Sequence, residues 1–176
     1  VLKKIDEYWS NINSLESRFS RGIVFDVSKV ILNKEQLNIN LQYTDYAHYL
    51  YSTRIGLPEE YRCRVVHGAS LIITSDNHIL IGTMNSHTAN PGRIQLVAGG
   101  LDENDIENGF INIEKNIKRE INEEIGINIE NFKSRDIAEP WLLKEGGSNN
   151  SLVIIYLIKF PYTKNKILKL YSTYEK

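Results

Sequence analysis

Apolar residues recur along the chain at two different spacings, and the spacing separates helices from strands. Over residues 1–20 they fall at roughly helical spacing, which predicts a first helix. Short β-branched runs between Gly22 and Gln42 predict strands with a turn near Asn33. A tyrosine-rich segment from Thr44 to Arg54 predicts a short second helix. The opening third of the chain is therefore expected to mix helices and strands.

Gly56-Leu57-Pro58 interrupts this pattern and is interpreted as a joint between an N-terminal arm, 1–57, and a main domain, 58–176. In the main domain a helix is predicted over about 111–125, closed by Gly126. Strands are predicted on both sides of that helix, at 65–74, 79–83 and 93–98 and then at 133–143 and 152–160. This order predicts an α/β fold in which helices pack on a mixed sheet.

The segment 101–110 lies between the third of these strands and the helix. It is rich in Asp, Glu and Asn and offers almost no apolar surface. We therefore expect a mobile loop there, because segments that bury little are held weakly.

Composition narrows the class of protein. The chain has 176 residues, of which 41% are hydrophobic and 24% charged, as in ordinary globular proteins. A net charge of −1 argues against capture of nucleic acid, which normally needs a basic surplus. The single cysteine, Cys63, indicates a reducing compartment, and no apolar run approaches the ~18 residues that cross a bilayer. The expected location is the cytoplasm.

Three glutamates on the central helix suggest chemistry. At about 100° per residue, a stripe of isoleucines should face the core, namely Ile113, Ile117, Ile121 and Ile125. Glu120 and Glu123 flank this stripe and Glu124 falls inside it. Because buried, neighbouring carboxylates are costly, a cation is expected among them, and a hard divalent ion such as Mg²⁺ takes oxygen ligands. The alternative is a solvated acidic surface in which Glu120 and Glu124 pair with lysines.

These residues lie in a recognisable motif. The stretch Gly100…Arg119-Glu120-Ile121-Asn122-Glu123-Glu124-Ile125-Gly126-Ile127 resembles the Nudix box, G-x5-E-x7-R-E-U-x-E-E-x-G-U with U aliphatic. Every named position of its second half is matched. The first half departs: Gly100 and Arg119 are nineteen positions apart instead of fourteen, and Ile111 stands where the pattern has Glu. Candidates to replace that Glu are Glu103, Glu107 and Glu114.

The resemblance implies a Nudix-like α/β/α sandwich and a hydrolase, dependent on Mg²⁺ or Mn²⁺, that cleaves the diphosphate linkage of a nucleoside diphosphate derivative. It implies that Glu120, Glu123 and Glu124 bind the metal and that the backbone carbonyl of Gly100, or of Gly99, adds a ligand. It also implies that Arg119 orients the cluster by ion pairing. The rival interpretation is a non-catalytic Nudix-fold module that senses a nucleotide.

Substrate contacts are expected around the same site. Arg93 and Gln95 share one face of the strand that leads to Gly99-Gly100, so Arg93 is a candidate phosphate contact. The resemblance adds Glu139, with Glu145 as the other candidate, from the region after the box. Residues 41–46 are similar to a segment of UDP-glucose-cleaving nucleotide-sugar diphosphatases. That similarity makes Tyr46 a candidate base contact, although a tyrosine cluster also packs well as core.

The expected partner is therefore a small-molecule nucleotide, with a nucleotide sugar as the favoured candidate. Neither nucleic acid nor a membrane is expected as a partner. A homodimer is retained as one assembly option. Nudix domains generally continue further beyond the position of residue 160, so the resemblance implies a domain abbreviated or truncated at its C-terminal end.

Overall fold

The computed structural model describes residues 1–16, 19–86, 91–130 and 137–174. The helices are α1 (Leu2–Glu16), α2 (Tyr46–Arg54), α3 (Ile113–Ile125) and α4 (Lys164–Tyr174). The strands are β1 (Ile23–Leu32), β2 (Leu37–Asp45), β3 (Val66–Ile73), β4 (Gly82–Thr83), β5 (Ile94–Gln95), β6 (Val97–Gly100), β7 (Ile106–Glu107), β8 (Phe110–Ile111), β9 (Ile137–Gly146) and β10 (Ser151–Lys159). The chain forms two compact units, one of Val1–Val66 with Glu145–Leu152 and one of His67–Lys144 with Val153–Lys176. The domain boundary at residue 57 stays a prediction.

In the first unit, β1 and β2 form the predicted antiparallel hairpin. The carboxamide oxygen of Asn33 closes its turn by accepting the backbone N–H groups of Glu35 and Gln36, at 3.0 and 2.7 Å. Asp45 begins α2 by accepting a hydrogen bond from the backbone N–H of His48 at 2.9 Å. Both elements therefore form where local side-chain hydrogen bonds fix the backbone.

The two helices of this unit pack against each other through apolar side chains. Ile5 and Trp9 of α1 and Leu50 of α2 are buried. The rings of Tyr8 and Tyr51 meet edge to face with centroids 5.4 Å apart, a favourable geometry for an aromatic pair. The predicted first and second helices are confirmed.

A four-stranded sheet has the order β6-β3-β10-β9. β3 and β6 run antiparallel. The backbone N–H of Leu152 donates to the carbonyl of Val65 at 2.9 Å, and that of Phe160 donates to Ile73 at 2.8 Å. Because the two bonds advance in the same direction along both strands, β3 and β10 are parallel. The predicted α/β class with a mixed sheet is confirmed.

The helix α3 packs on β6, as its isoleucine stripe predicts. Ile117, Ile121 and Ile125 are buried, and Ile113 is partly buried against the same core. The side chain of Asn112 caps the helix by accepting the backbone N–H of Lys115 at 3.0 Å. The helix therefore begins two residues later than predicted, because Ile111 belongs to β8 instead.

Residues 101–112 form a 3₁₀ turn and a short hairpin where an irregular loop was expected, and two of them are buried; the mobility of the segment stays a prediction. Leu101 is buried, and Asp105 is 0% exposed. Glu103–Asp105 form a 3₁₀ turn whose two ends are joined by a capping box between Asp102 and Asp105. The strands β7 and β8 then form a short antiparallel hairpin. The carboxylates of Asp102 and Asp105 accept backbone N–H groups of this turn, which a count of apolar residues cannot reveal.

The run predicted as one strand at 93–98 is divided. β5 pairs with β4, and β6 pairs with β3, so Leu96 marks a change of partner. The strand predicted at 133–143 corresponds to β9, and its residues 133–136 lie outside the described residues. Among the helices described, none is long and apolar enough to cross a membrane.

The end of α3 is held by α4. Gly126 follows the helix in the left-handed conformation, with φ of +68°, as predicted. The hydroxyl of Tyr174 donates to the carbonyl of Glu123 at 2.7 Å, satisfying one of the carbonyls that a helix end leaves open. A Cβ atom on Gly126 would overlap the ring of Tyr174. Gly126 is therefore required by its backbone angle and by its neighbour.

We predict that Gly126→Ala lowers the free energy of unfolding by about 2–3 kcal/mol, since left-handed strain costs about 1–2 kcal/mol and the ring must also move. Gly109→Ala is the matched control, because Gly109 has φ of +81° but open space around it. Urea unfolding of both variants measures the difference. Equal losses would show that the Tyr174 ring imposes no steric limit.

Candidate active site

The three predicted metal-binding glutamates lie on the last two turns of α3. The side chain of Glu120 is 12% exposed, whereas that of Glu123 is 56% exposed. Glu124 is exposed at the surface. The set therefore has one buried member and two members open to water.

A pair of glycines in the sheet makes the buried position possible. Gly68 of β3 and Gly99 of β6 are directly paired across the strands. A Cβ atom on Gly99 would overlap the carboxylate of Glu120, and one on Gly68 would overlap the amide oxygen of Asn116. The absence of side chains at both positions lets two polar side chains of α3 reach the sheet backbone.

Burial changes the proton affinity of this carboxylate. It raises the pKa of Glu120 to about 7, opposed by the positive charge of Arg119 and reinforced by the negative charges of Glu123 and Glu124. Burial also raises the pKa of Glu124, while a hydrogen bond from the backbone N–H of Ala98 lowers it. Burial first, and repulsion between neighbouring carboxylates second, therefore favour a cation or a proton at Glu120 and Glu124.

Arg119 lies at the centre of the acidic groups and holds them with two different nitrogens. Its Nη1 lies 2.7 Å from the Glu120 carboxylate and 3.2 Å from that of Glu123. Its Nη2 lies 3.1 Å from Asp105 and 3.6 Å from Asp102. Burial by itself lowers the pKa of Arg119, but these carboxylates outweigh it and raise the pKa, so the guanidinium stays charged. The geometry agrees with the predicted role of Arg119 in orienting the cluster.

Sequence reasoning overlooked Asp105. Its Oδ2 atom accepts hydrogen bonds from the backbone N–H of Asp102 at 2.9 Å, from Asn116 Nδ2 at 3.0 Å and from Arg119 Nη2 at 3.1 Å. The Asp102-x-x-Asp105 spacing of a capping box was the sequence signal that could have identified a packed turn here.

The residues named as replacements for the missing glutamate have other contacts. Glu107 lies 3.2 Å from Lys115, and Glu114 lies 2.8 Å from Lys118. Glu103 lies exposed in the 3₁₀ turn. Ile111 itself is paired with Ile106 in the hairpin.

The carbonyl of Gly100, predicted as a metal ligand, already has two donors. Asn116 Nδ2 donates to it at 2.9 Å and Arg119 Nη2 at 3.1 Å. These bonds use both lone pairs of the oxygen, so a metal contact there would require at least one of them to break.

The predicted substrate contacts belong to different elements. Arg93 is exposed before β5, and Gln95 is half-buried and pairs with Gly82. Tyr46 begins α2, where its ring lies 5.7 Å from that of Phe19 and 5.5 Å from that of Tyr49. Glu139 belongs to β9, and its side chain lies outside the described residues. For Tyr46 the contacts agree with the alternative of aromatic packing.

Within the described ranges, no three acidic, imidazole or thiol side chains are grouped closely enough to hold a metal ion. Four buried side-chain atoms in the same ranges have no hydrogen-bond partner: Asp105 Oδ1, Asn116 Oδ1, Arg119 Nε and, elsewhere, Asn13 Oδ1. The first three belong to one network, so the polar centre beside α3 is only partly satisfied.

Comparison with known proteins gives a structural likeness but no sequence match. No family model and no curated protein matches the chain. Among solved structures, the protein is similar to the NUDIX domain of Shewanella oneidensis NrtR, which was solved with ADP ribose. The identity is 16%, the TM-score is 0.44, and the match covers 68% of this chain and 73% of that one. A likeness at this level carries no argument about function, which is inferred below from the site itself.

Proposed function

We propose that the protein is a hydrolase, dependent on Mg²⁺ or Mn²⁺, that cleaves the diphosphate linkage of a nucleoside diphosphate derivative. The supporting observation is Glu120, whose carboxylate is buried against Gly99 beside two further carboxylates. A merely solvated acidic face would not need a glycine in the sheet to admit one of its glutamates. The arrangement favours a bound cation over the surface alternative.

The donor set suits the proposed ion. Mg²⁺ prefers carboxylate oxygens and keeps several waters, so one buried and two exposed glutamates are an appropriate set. Glu120 would supply the fixed ligand. Glu123, held by Arg119, and Glu124, which accepts a hydrogen bond from the backbone N–H of Ala98, would complete the set from the water-exposed side. The backbone of Gly99 passes close to that carboxylate, so its carbonyl is a candidate for a further ligand.

The residues then divide the chemistry between them. When bound, the ion would neutralise phosphate charge and lower the pKa of a coordinated water. Partial burial of its carboxylate raises the pKa of Glu124, so Glu124 would accept the proton of that water more readily than an ordinary glutamate. Arg119 would hold Glu120 and Glu123 in place through Nη1.

A nucleotide-sensing module without catalysis is the second candidate. It is favoured by the carbonyl of Gly100, whose lone pairs are already taken, and by the lack of a ready metal-holding group among the described residues. Binding of a nucleotide without turnover would identify this function.

Within catalysis, we favour a nucleotide sugar, with Arg93, Gln95, Glu139 and Tyr46 as candidate contacts. Arg119 is engaged by four carboxylates and has little capacity left for a phosphate. A triphosphate brings about two more negative charges than a sugar-linked diphosphate, and these would face the glutamates uncompensated.

We predict that Glu120→Gln and Glu124→Gln each weaken Mn²⁺ binding by at least about tenfold, because each removes a charged ligand. Glu114→Gln is the matched control, since Glu114 lies on the same helix but pairs with Lys118. Calorimetric titration measures the affinities, and circular dichroism checks the fold. Unchanged affinity in both site variants would rule out this metal site.

A second prediction uses the glycine beside Glu120. Gly99→Ala should displace the carboxylate and weaken Mn²⁺ binding by about tenfold or more. The neighbouring Gly100→Ala should leave the affinity unchanged, because a Cβ atom there meets open space. If the two variants bind Mn²⁺ equally well, the close approach of Glu120 to the sheet is not needed by the site.

The substrate is tested by comparing hydrolysis of UDP-glucose, ADP-ribose and the common nucleoside triphosphates at equal Mg²⁺ concentration. We expect the highest kcat/KM for a nucleotide sugar, because it carries the least uncompensated charge. Preference for triphosphates would refute the substrate assignment and leave the hydrolase assignment standing. Omission of the metal should abolish cleavage.

A further inference from the structure

We propose that Asp105 is the positioning residue that fixes Arg119. It replaces the glutamate that the box pattern has at the position of Ile111. The inference rests on the proposed function, because the groups that Arg119 holds are the proposed metal ligands. It assigns a role to a residue that lies outside the motif as the sequence spells it.

The first argument is topological. β7 and β8 leave and return at the same point, since Ile106 pairs with Ile111 and the backbone N–H of Asn112 donates to the carbonyl of Asp105 at 2.7 Å. The hairpin is thus an excursion between two residues that are neighbours in space. When it is left out, seven residues, 112–118, separate Asp105 from Arg119. That is the spacing that the box places between its glutamate and its arginine.

The second argument is the difference in exposure among the partners of Arg119. The side chain of Asp105 is 1% exposed, against 12% for Glu120, 41% for Asp102 and 56% for Glu123. Exposed ion pairs contribute little and are screened by salt, whereas a buried charge pair is costly to break. Asp105 is the most buried of the four partners, and unlike Glu120, a proposed metal ligand, it is itself held by Asn116 and by the backbone of Asp102, so it is the partner that fixes the guanidinium from the interior.

The third argument is the division of the guanidinium. Nη2 is held by Asp105 and by the carbonyl of Gly100, and Nη1 faces Glu120 and Glu123. A guanidinium is planar and rigid, so fixing one nitrogen fixes the other. Asp105 thereby positions the proposed metal ligands without touching them.

Asn116 completes the device. Its Nδ2 donates to Gly100 and to Asp105, so the two acceptors of Arg119 Nη2 are themselves tied together. Gly68 gives Asn116 the room to sit there. The anchor of the arginine is therefore built from the sheet, the 3₁₀ turn and the helix at once.

The test compares Asp105→Asn, which keeps the shape and removes the charge, with Glu107→Gln, which removes a nearby carboxylate that pairs with Lys115. We expect Asp105→Asn to weaken Mn²⁺ binding by about 10- to 100-fold and to lower kcat more than it raises KM. Glu107→Gln should match the wild type in both. A folded Asp105→Asn protein with wild-type Mn²⁺ affinity would overturn the proposal.

Two further measurements keep the result clear. In metal-free protein, the NMR signal of Arg119 Nε–H should exchange faster with water in Asp105→Asn than in the wild type, and an unchanged rate would contradict the role of Asp105. Replacement of residues 106–111 by one glycine removes Glu107 and Ile111 and should retain Mn²⁺ binding. If a folded protein with this replacement does not bind Mn²⁺, the residue that positions Arg119 lies in the hairpin and the proposal is overturned. A wild type that binds no Mn²⁺ refutes the proposed function, while the exchange measurement still decides the position of Arg119.

Discussion

The candidate site depends on the buried contact between Asp105 and Arg119. Without it Arg119 would keep only the proposed metal ligands, the carbonyl of Gly100 and the exposed Asp102 as partners, and exposed pairs hold a side chain only weakly. With it, one nitrogen is fixed by the interior and the other is presented to Glu120 and Glu123. The position of Arg119 beside the proposed metal ligands is thus fixed by a buried group and not by a solvent-exposed one.

Polar side chains can be buried beside α3 only because the sheet leaves room for them. A charged pair and an amide can approach the interior only where the backbone is open, and Gly68 and Gly99 provide that opening side by side. The paired glycines and the isoleucine stripe of α3 act together. The stripe holds the helix close to the sheet, and the glycines leave room between them for the side chains of Glu120 and Asn116. Packing and polar chemistry therefore share one interface.

A short hairpin separates Asp105 from α3 along the chain without separating their ends in space. The excursion of β7 and β8 adds residues between Asp105 and Asn112 while leaving their backbones hydrogen-bonded. Loop insertions cost little when the ends of the insertion are already close. The chain can therefore carry the hairpin between Asp105 and Asn112 and still place the carboxylate of Asp105 beside Arg119.

The sequence by itself determined the elements whose signals are local. It predicted α3, its buried isoleucine stripe and its end at Gly126, and it placed three glutamates on that helix. A helical period and a left-handed cap can be recognised within a few residues. Only the tertiary structure decided that Asp105 is the partner of Arg119 and that Gly99 admits Glu120. These contacts join residues far apart in the chain, and the spacing along the chain cannot show which of them a hairpin or a strand pairing brings together.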